Sequence, residues 1–119
     1  MVSNAKGKAM EYCFDSIFVK NGKIFATGWA VSSVAENEIE ITVTDEKKTP
    51  VDAIVTWAAR PDVGLAKYGD PKAGHVGIFL EIPFHGQHLV TVYFKEKIAQ
   101  GNVISEQSLP LNPALIAAD

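Results

Sequence analysis

The sequence predicts an all-β domain: a two-sheet antiparallel β-sandwich, immunoglobulin-like or jelly-roll-like, of about seven strands with one short helical turn near residues 62–68. Three observations predict it. Short runs rich in Val, Ile, Thr, Phe and Tyr are separated by turn signals at the intervals of an all-β chain. Several of these runs alternate apolar and polar residues with period two, as a strand with one wet face does. The alternation is broken by helical spacing only between Pro61 and Gly69. A partly open barrel is the competing way to bury so many half-apolar strands.

The elements follow in order. Residues 1–10 are small, polar and basic and are expected to be a disordered N-terminal segment. The domain proper is expected over 11–110, and 111–119 as a C-terminal tail. A first strand runs from Tyr12 to Lys20. Asn21-Gly22 closes it with a two-residue hairpin signal, because both residues tolerate positive φ. Lys23 to Val31 is the second strand. Phe25, Trp29 and Val31 share one face and Ile24, Ala26, Gly28 and Ala30 the other, so it is expected to be central and covered on both sides. Ser32 to Asn37 is a loop. In the strand Glu38 to Asp45, Ile39, Ile41 and Val43 point inward and Glu38, Glu40, Thr42 and Thr44 to water. The turn Glu46 to Pro50 leads to Val51–Ala59, with Val51, Ala53, Val55 and Trp57 on one side. Asp62 is expected to cap the helical turn that follows, and Leu65 and Tyr68, three apart, to share its face. Gly69-Asp70-Pro71 stops it. Val76 to Phe84 turns Val76, Ile78, Leu80 and Ile82 inward. His85-Gly86-Gln87 is a tight turn before His88 to Lys95, where Val90, Val92 and Phe94 lie opposite Tyr93. A last run, Val103 to Leu109, closes an edge, and Pro110 and Pro113 lead the chain away.

Bulk properties exclude several classes. At 119 residues, 47% apolar and 21% charged, the chain has the balance of one globular domain. The formal charge of −3 is dispersed and no basic cluster marks a nucleic-acid face. No apolar run nears the roughly 20 residues that span a bilayer. The first residues lack the apolar core of a signal peptide, so no self-directed export is expected. The single cysteine, Cys13, has no disulfide partner within the chain. It lies in an apolar-aromatic run, as a buried inert thiol does, and nothing local ties His75, His85 or His88 to it as a catalytic base. The lone thiol and the missing signal peptide favour the cytoplasm, with the cell surface as the other location.

Two passages belong together. NGKIFATGWAVSS carries Gly28-Trp29-Ala30 inside a strand. ARPDVGLAKYGDPKAGHVGIFLEI carries Arg60-Pro61-Asp62-Val63, Tyr68, and a glycine, Gly77, opening the next strand. Their order and spacing, over roughly Tyr12 to Phe94, resemble the β-sandwich accessory domain attached to bacterial glycosyltransferases of surface-polysaccharide (rhamnan-type) synthesis. The chain departs from that pattern where the family has Gly-Phe: here Ile78 separates Gly77 from Phe79. The resemblance implies a non-catalytic module in a carbohydrate-assembly setting, working beside a glycosyltransferase catalytic domain in a larger parent chain.

The candidate ligand-binding residues are Trp57, Arg60, Asp62 and Tyr68. Exposed aromatics bind sugars because a pyranose C–H face packs on a flat π surface. Trp57, however, shares a face with Val55, and Trp29 with Phe25 and Val31, which is a core pattern. Arg60 and Asp62 flank Pro61 either as a pair aimed at a ligand or as a staple within the loop. Tyr68 either anchors the loop or stands at its rim. No metal site is expected, because the three histidines lack further ligands at zinc spacing and no loop gathers enough oxygens for calcium. No cofactor motif and no activated nucleophile is present. The chain is therefore expected to be a non-enzymatic accessory module that binds a polysaccharide or other glycan, or alternatively a protein-interaction or spacer domain without carbohydrate affinity.

Overall fold

The computed structural model describes residues 2–3, 10–34, 36–72, 76–84 and 89–116. Among the described residues, eight strands form two antiparallel sheets: β1 (Val2–Ser3), β2 (Glu11–Lys20), β3 (Lys23–Val31), β4 (Glu38–Asp45), β5 (Ile54–Ala58), β6 (Gly77–Pro83), β7 (Val90–Lys97) and β8 (Val103–Leu111). One sheet has the order β1-β2-β3-β6-β5 and the other β4-β7-β8. The fold is a small β-sandwich with separate sheets. One helix, α1 (Pro61–Tyr68), lies between β5 and β6, and a 3-10 turn, Pro113–Leu115, follows β8. Among the described residues, no helix is long and apolar enough to cross a membrane.

Period-two alternation sets which residues meet between the sheets. Ile24, Ala26, Ile78, Leu80 and Ile82 from the larger sheet pack with Val43, Val90, Val92 and Phe94 from the smaller one. Tyr12 of β2 stacks on Phe94 of β7 with centroids 4.3 Å apart and planes within 5°, and Phe14 meets the same ring tilted at 6.0 Å. This aromatic trio joins the sheets. Fully burying side chains of this size stabilises by roughly 1.5–3 kcal/mol each. Val51, Ala53, Val55 and Trp57 pack against the same core on one face, although only Ile54–Ala58 of that run is strand.

Turn chemistry fixes the hairpins. Asn21 and Gly22 hold φ of 54° and 74°, the left-handed pair that a two-residue turn requires. Asp45 accepts at Oδ1 from the amides of Lys47 and Thr49 and so shapes the β4 turn. The turn expected at His85-Gly86-Gln87 lies outside the described residues.

The expected borders move outward. Val2–Ser3 pair with Cys13 and Phe14 of β2, and Met10 is buried in the core. At the other end β8 runs to the buried Leu111, and Ile116 still packs on the core. The chain crosses the 10/11 and 110/111 borders inside the domain because Met10, Leu111 and Ile116 complete the core at its ends.

Candidate functional site

The two sequence passages meet on the outer face of the five-stranded sheet, at the end covered by α1. β2 carries an irregularity between Phe14 and Ser16 that leaves Asp15 unpaired and tipped outward. Gly28 sits opposite Phe14, and a Cβ there would lie 1.9 Å from the Cys13 carbonyl oxygen, so only glycine fits beneath the bulged strand. Across the sheet, a Cβ on Gly77 would lie 2.7 Å from Cγ of Arg60. The missing side chain lets the Arg60 stem lie flat on β6. From there its guanidinium holds Asp62 with two bonds (Nε–Oδ1 3.1 Å, Nη2–Oδ2 3.0 Å) and reaches Asp15 Oδ2 at 3.4 Å. The hydrogen bond from Arg60 holds the Asp62 carboxyl below its ordinary pKa.

Asp62 does not cap the helix. The N-cap is Arg60, with no side-chain cap bond, and Pro61 begins the first turn because it needs no amide partner there. Gly69 closes the helix in the left-handed conformation (φ 72°), its amide bonded to the Leu65 carbonyl. Leu65 and Tyr68 also part company. Leu65 is 57% exposed, while Tyr68 packs with Trp29 against the buried Val31, Val63 and Val76. The Tyr68 hydroxyl donates to the Ser32 carbonyl at 2.8 Å and lies 3.0 Å from the Ser32 hydroxyl. Burial is the main cause that raises its pKa. Lys67 stands 5.2 Å above the Trp29 ring and pairs with the buried Glu11 at 2.6 Å.

The four candidate residues are thus divided. Arg60 and Asp62 form one surface pair, Tyr68 anchors the inner side of α1, and Trp57 packs on the main core. The expected covering of both faces of β3 holds only in part: α1 covers Trp29 and Val31, while Phe25 lies beyond it.

Beyond α1 the outer face is uncovered. The register sets Ser16, Thr27, Phe79 and Thr56 in one cross-strand row and Phe18, Phe25, Glu81 and Ile54 in the next. Phe18 and Phe25 stack at 5.3 Å, and Phe25 meets Phe79 at 6.0 Å. Phe79 is 40% and Ile54 57% exposed. Lys23 and Glu81 pair at 3.2 Å beside them. The outer face of the smaller sheet is different: Glu38, Glu40, Lys95, Lys97 and Glu106 sit in facing registers there. Sequence reasoning missed the aromatic row, yet a signal existed. Phe79 falls in the opposite phase of its strand from Ile78, Leu80 and Ile82, where a solvent-facing residue is due.

Glu96 was missed as well. It stands 1% exposed in the inward phase of β7, after Val90, Val92 and Phe94. Its Oε2 accepts from the Ser33 amide (3.0 Å), the Ser33 hydroxyl (2.6 Å) and Asn37 Nδ2 (2.7 Å), which ties down the loop between β3 and β4. Cys13 is buried, and burial followed by the neighbouring Asp15 charge pushes its thiol up, away from the nucleophilic thiolate. Among the described residues, no group of three His, Cys, Asp or Glu side chains is placed to hold a metal; His75, His85 and His88 lie outside them.

No protein-family model, no curated protein and no solved structure matches this chain.

Proposed function

We propose that this chain is a non-catalytic accessory β-sandwich module of a bacterial glycosyltransferase or polysaccharide-assembly protein, and that it works by docking onto a protein surface through the uncovered outer face of its five-stranded sheet. The observation that carries the docking role is the row of Phe18, Phe25 and Phe79 beside Ile54, held toward solvent on one sheet while the other sheet's outer face is charged. A contiguous exposed apolar patch on a small protein marks an interaction surface. The parent assignment rests on the Gly-Trp-Ala and Arg-Pro-Asp-Val resemblance.

Docking is favoured over sugar stacking by ring geometry. A pyranose needs a free aromatic face. Phe18 and Phe25 lie within 25° of parallel and turn faces toward each other, so together they present a ridge. Both tryptophans are half-buried, Trp57 on the core and Trp29 beneath Lys67. Glycan binding remains the second reading on one observation: Phe79 is the most exposed of the rings and is flanked in its row by the hydroxyls of Thr27 and Thr56.

The test is a two-dimensional amide NMR titration with bacterial polysaccharide fragments, rhamnose-rich ones included. The docking reading expects no shifts at millimolar sugar. Saturable shifts at Thr27, Thr56 and Phe79 would transfer the face to the glycan reading. Saturable shifts on Arg60, Asp62 and Tyr68 alone would overturn the role of the aromatic face.

A further inference from the structure

The geometry points to a second copy of this chain as an occupant of the aromatic face, in a two-fold dimer with the five-stranded sheets packed face to face. This inference rests on the docking reading above and names its partner. Three observations carry it.

The first is charge. Along the strands, the face ends at the β2–β3 turn with Lys20 and Lys23, and Lys23 pairs with Glu81 of the aromatic row. It ends at α1 with Asp15 and Asp62, opposed by one guanidinium, Arg60. The basic end and the acidic end lie on either side of the apolar row. A two-fold axis in the interface plane, crossing the strands, lays each basic end over the acidic end of the other copy. Lys20 of each protomer then approaches Asp15 of its partner. A rotation that keeps the strands parallel would instead set like charges together.

The second is relief. On β2, β3 and β5 a bulky residue, Phe18, Phe25 or Ile54, neighbours a small one, Ser16, Thr27 or Thr56, while β6 carries Glu81 in the first row and Phe79 in the second. Reversal of strand direction sets the bulky residue of each of these three strands beside the small residue of the same strand in the other copy, as side chains interdigitate between aligned sheets.

The third is the shoulder made by α1. Its Val63 and Tyr68 pack on Trp29 and Val31 at one end of the face only, so the face is a step bounded by a helix and open at the hairpin end. A second sheet lies about 10 Å above the first, beside α1 in the same layer.

Sedimentation velocity of the whole chain over a wide concentration range tests this. The expected result is a concentration-dependent monomer–dimer equilibrium that Phe79→Ser abolishes. Lys20→Glu and Asp15→Lys should each weaken self-association about tenfold, since each places like charges at both reciprocal contacts. An equimolar mixture of the two variants should restore the dimer, because both contacts again pair opposite charges. That restoration also shows that neither variant failed to fold. A chain monomeric at millimolar concentration, or a mixture no tighter than the separate variants, overturns the dimer. If the chain is monomeric while another protein still docks on the Phe79 row, the dimer falls and the docking face stands. A dimer indifferent to Phe79→Ser sinks both.

Discussion

Gly28 and Gly77 look alike in the sequence but resist substitution differently. A Cβ on Gly28 meets backbone, the Cys13 carbonyl and the Phe14 Cα, whereas one on Gly77 meets mainly the movable stem of Arg60. Gly28→Ala is therefore expected to cost about 3 kcal/mol or more in urea denaturation, and Gly77→Ala about 1 kcal/mol. Equal losses would contradict this account of the two motifs. Strand phase made Trp57 legible as a core-facing residue beside Val55. Phase alone could not say that α1 covers Trp29 and leaves Phe25 bare, because that depends on where a helix some thirty residues later comes to rest. The tyrosines supply a pH test. Burial raises the pKa of both Tyr12 and Tyr68, so the neutral phenols favour the native state. Their contribution is fully present below the ordinary tyrosine pKa and is lost as pH rises through the raised native values. Alkaline titration by phenolate absorbance should show native phenols ionising late, together with unfolding. Ionisation of both at the free-tyrosine pH would contradict the burial. Asp62 acts on the acid side. Its lowered pKa gives a contribution present above its unfolded value and lost as pH falls through the native one. Asp62→Asn should remove that part of the acid dependence.

At the scale of elements, the hairpins, alternating strands and helix stop were readable because each depends on local chemistry: Asn21-Gly22 for positive φ, period two for one wet face, Gly69 for a left-handed cap. Contacts far apart in sequence were not readable. The loop between β3 and β4 is held by Glu96, some sixty residues later, and the helix is tied by Lys67 to Glu11. A carboxylate in the inward phase of β7 was the available sign of such a tether. Glu96→Ala should leave the Ser33 amide and Asn37 unsatisfied and cost about 2–3 kcal/mol. Glu96→Gln should recover part of that. Hydrogen exchange at the Ser33 amide should speed up first. An Ala variant as stable as the parent would show that the loop does not depend on this carboxylate. The exposed Arg60–Asp62 pair is of another kind. Solvent screens this ion pair, so Asp62→Ala should scarcely move the denaturation midpoint.

For the whole molecule, the contrast between the two outer faces carries the functional account. The outer face of the smaller sheet pairs Glu38 with Lys97, Glu40 with Lys95 and Lys95 with Glu106, and its exposed apolar residues, Val103 and Ile104, stand on β8. The aromatic face of the larger sheet leaves Phe79 and Ile54 exposed, a pattern that solubility disfavours and contact explains. The two-sheet class was legible from the number and spacing of strands. Which sheet receives α1, and hence which half of its face stays open, follows from strand order and is invisible to period-two reading. The most direct measurement is a dilution series of amide NMR spectra from millimolar to micromolar chain. The account predicts concentration-dependent shifts gathered on Ser16–Lys20, Lys23–Thr27, Ile54–Thr56 and Phe79–Glu81, with the β4 and β7 outer face unmoved. Shifts gathered on that charged face, or on the β8 edge, would contradict it.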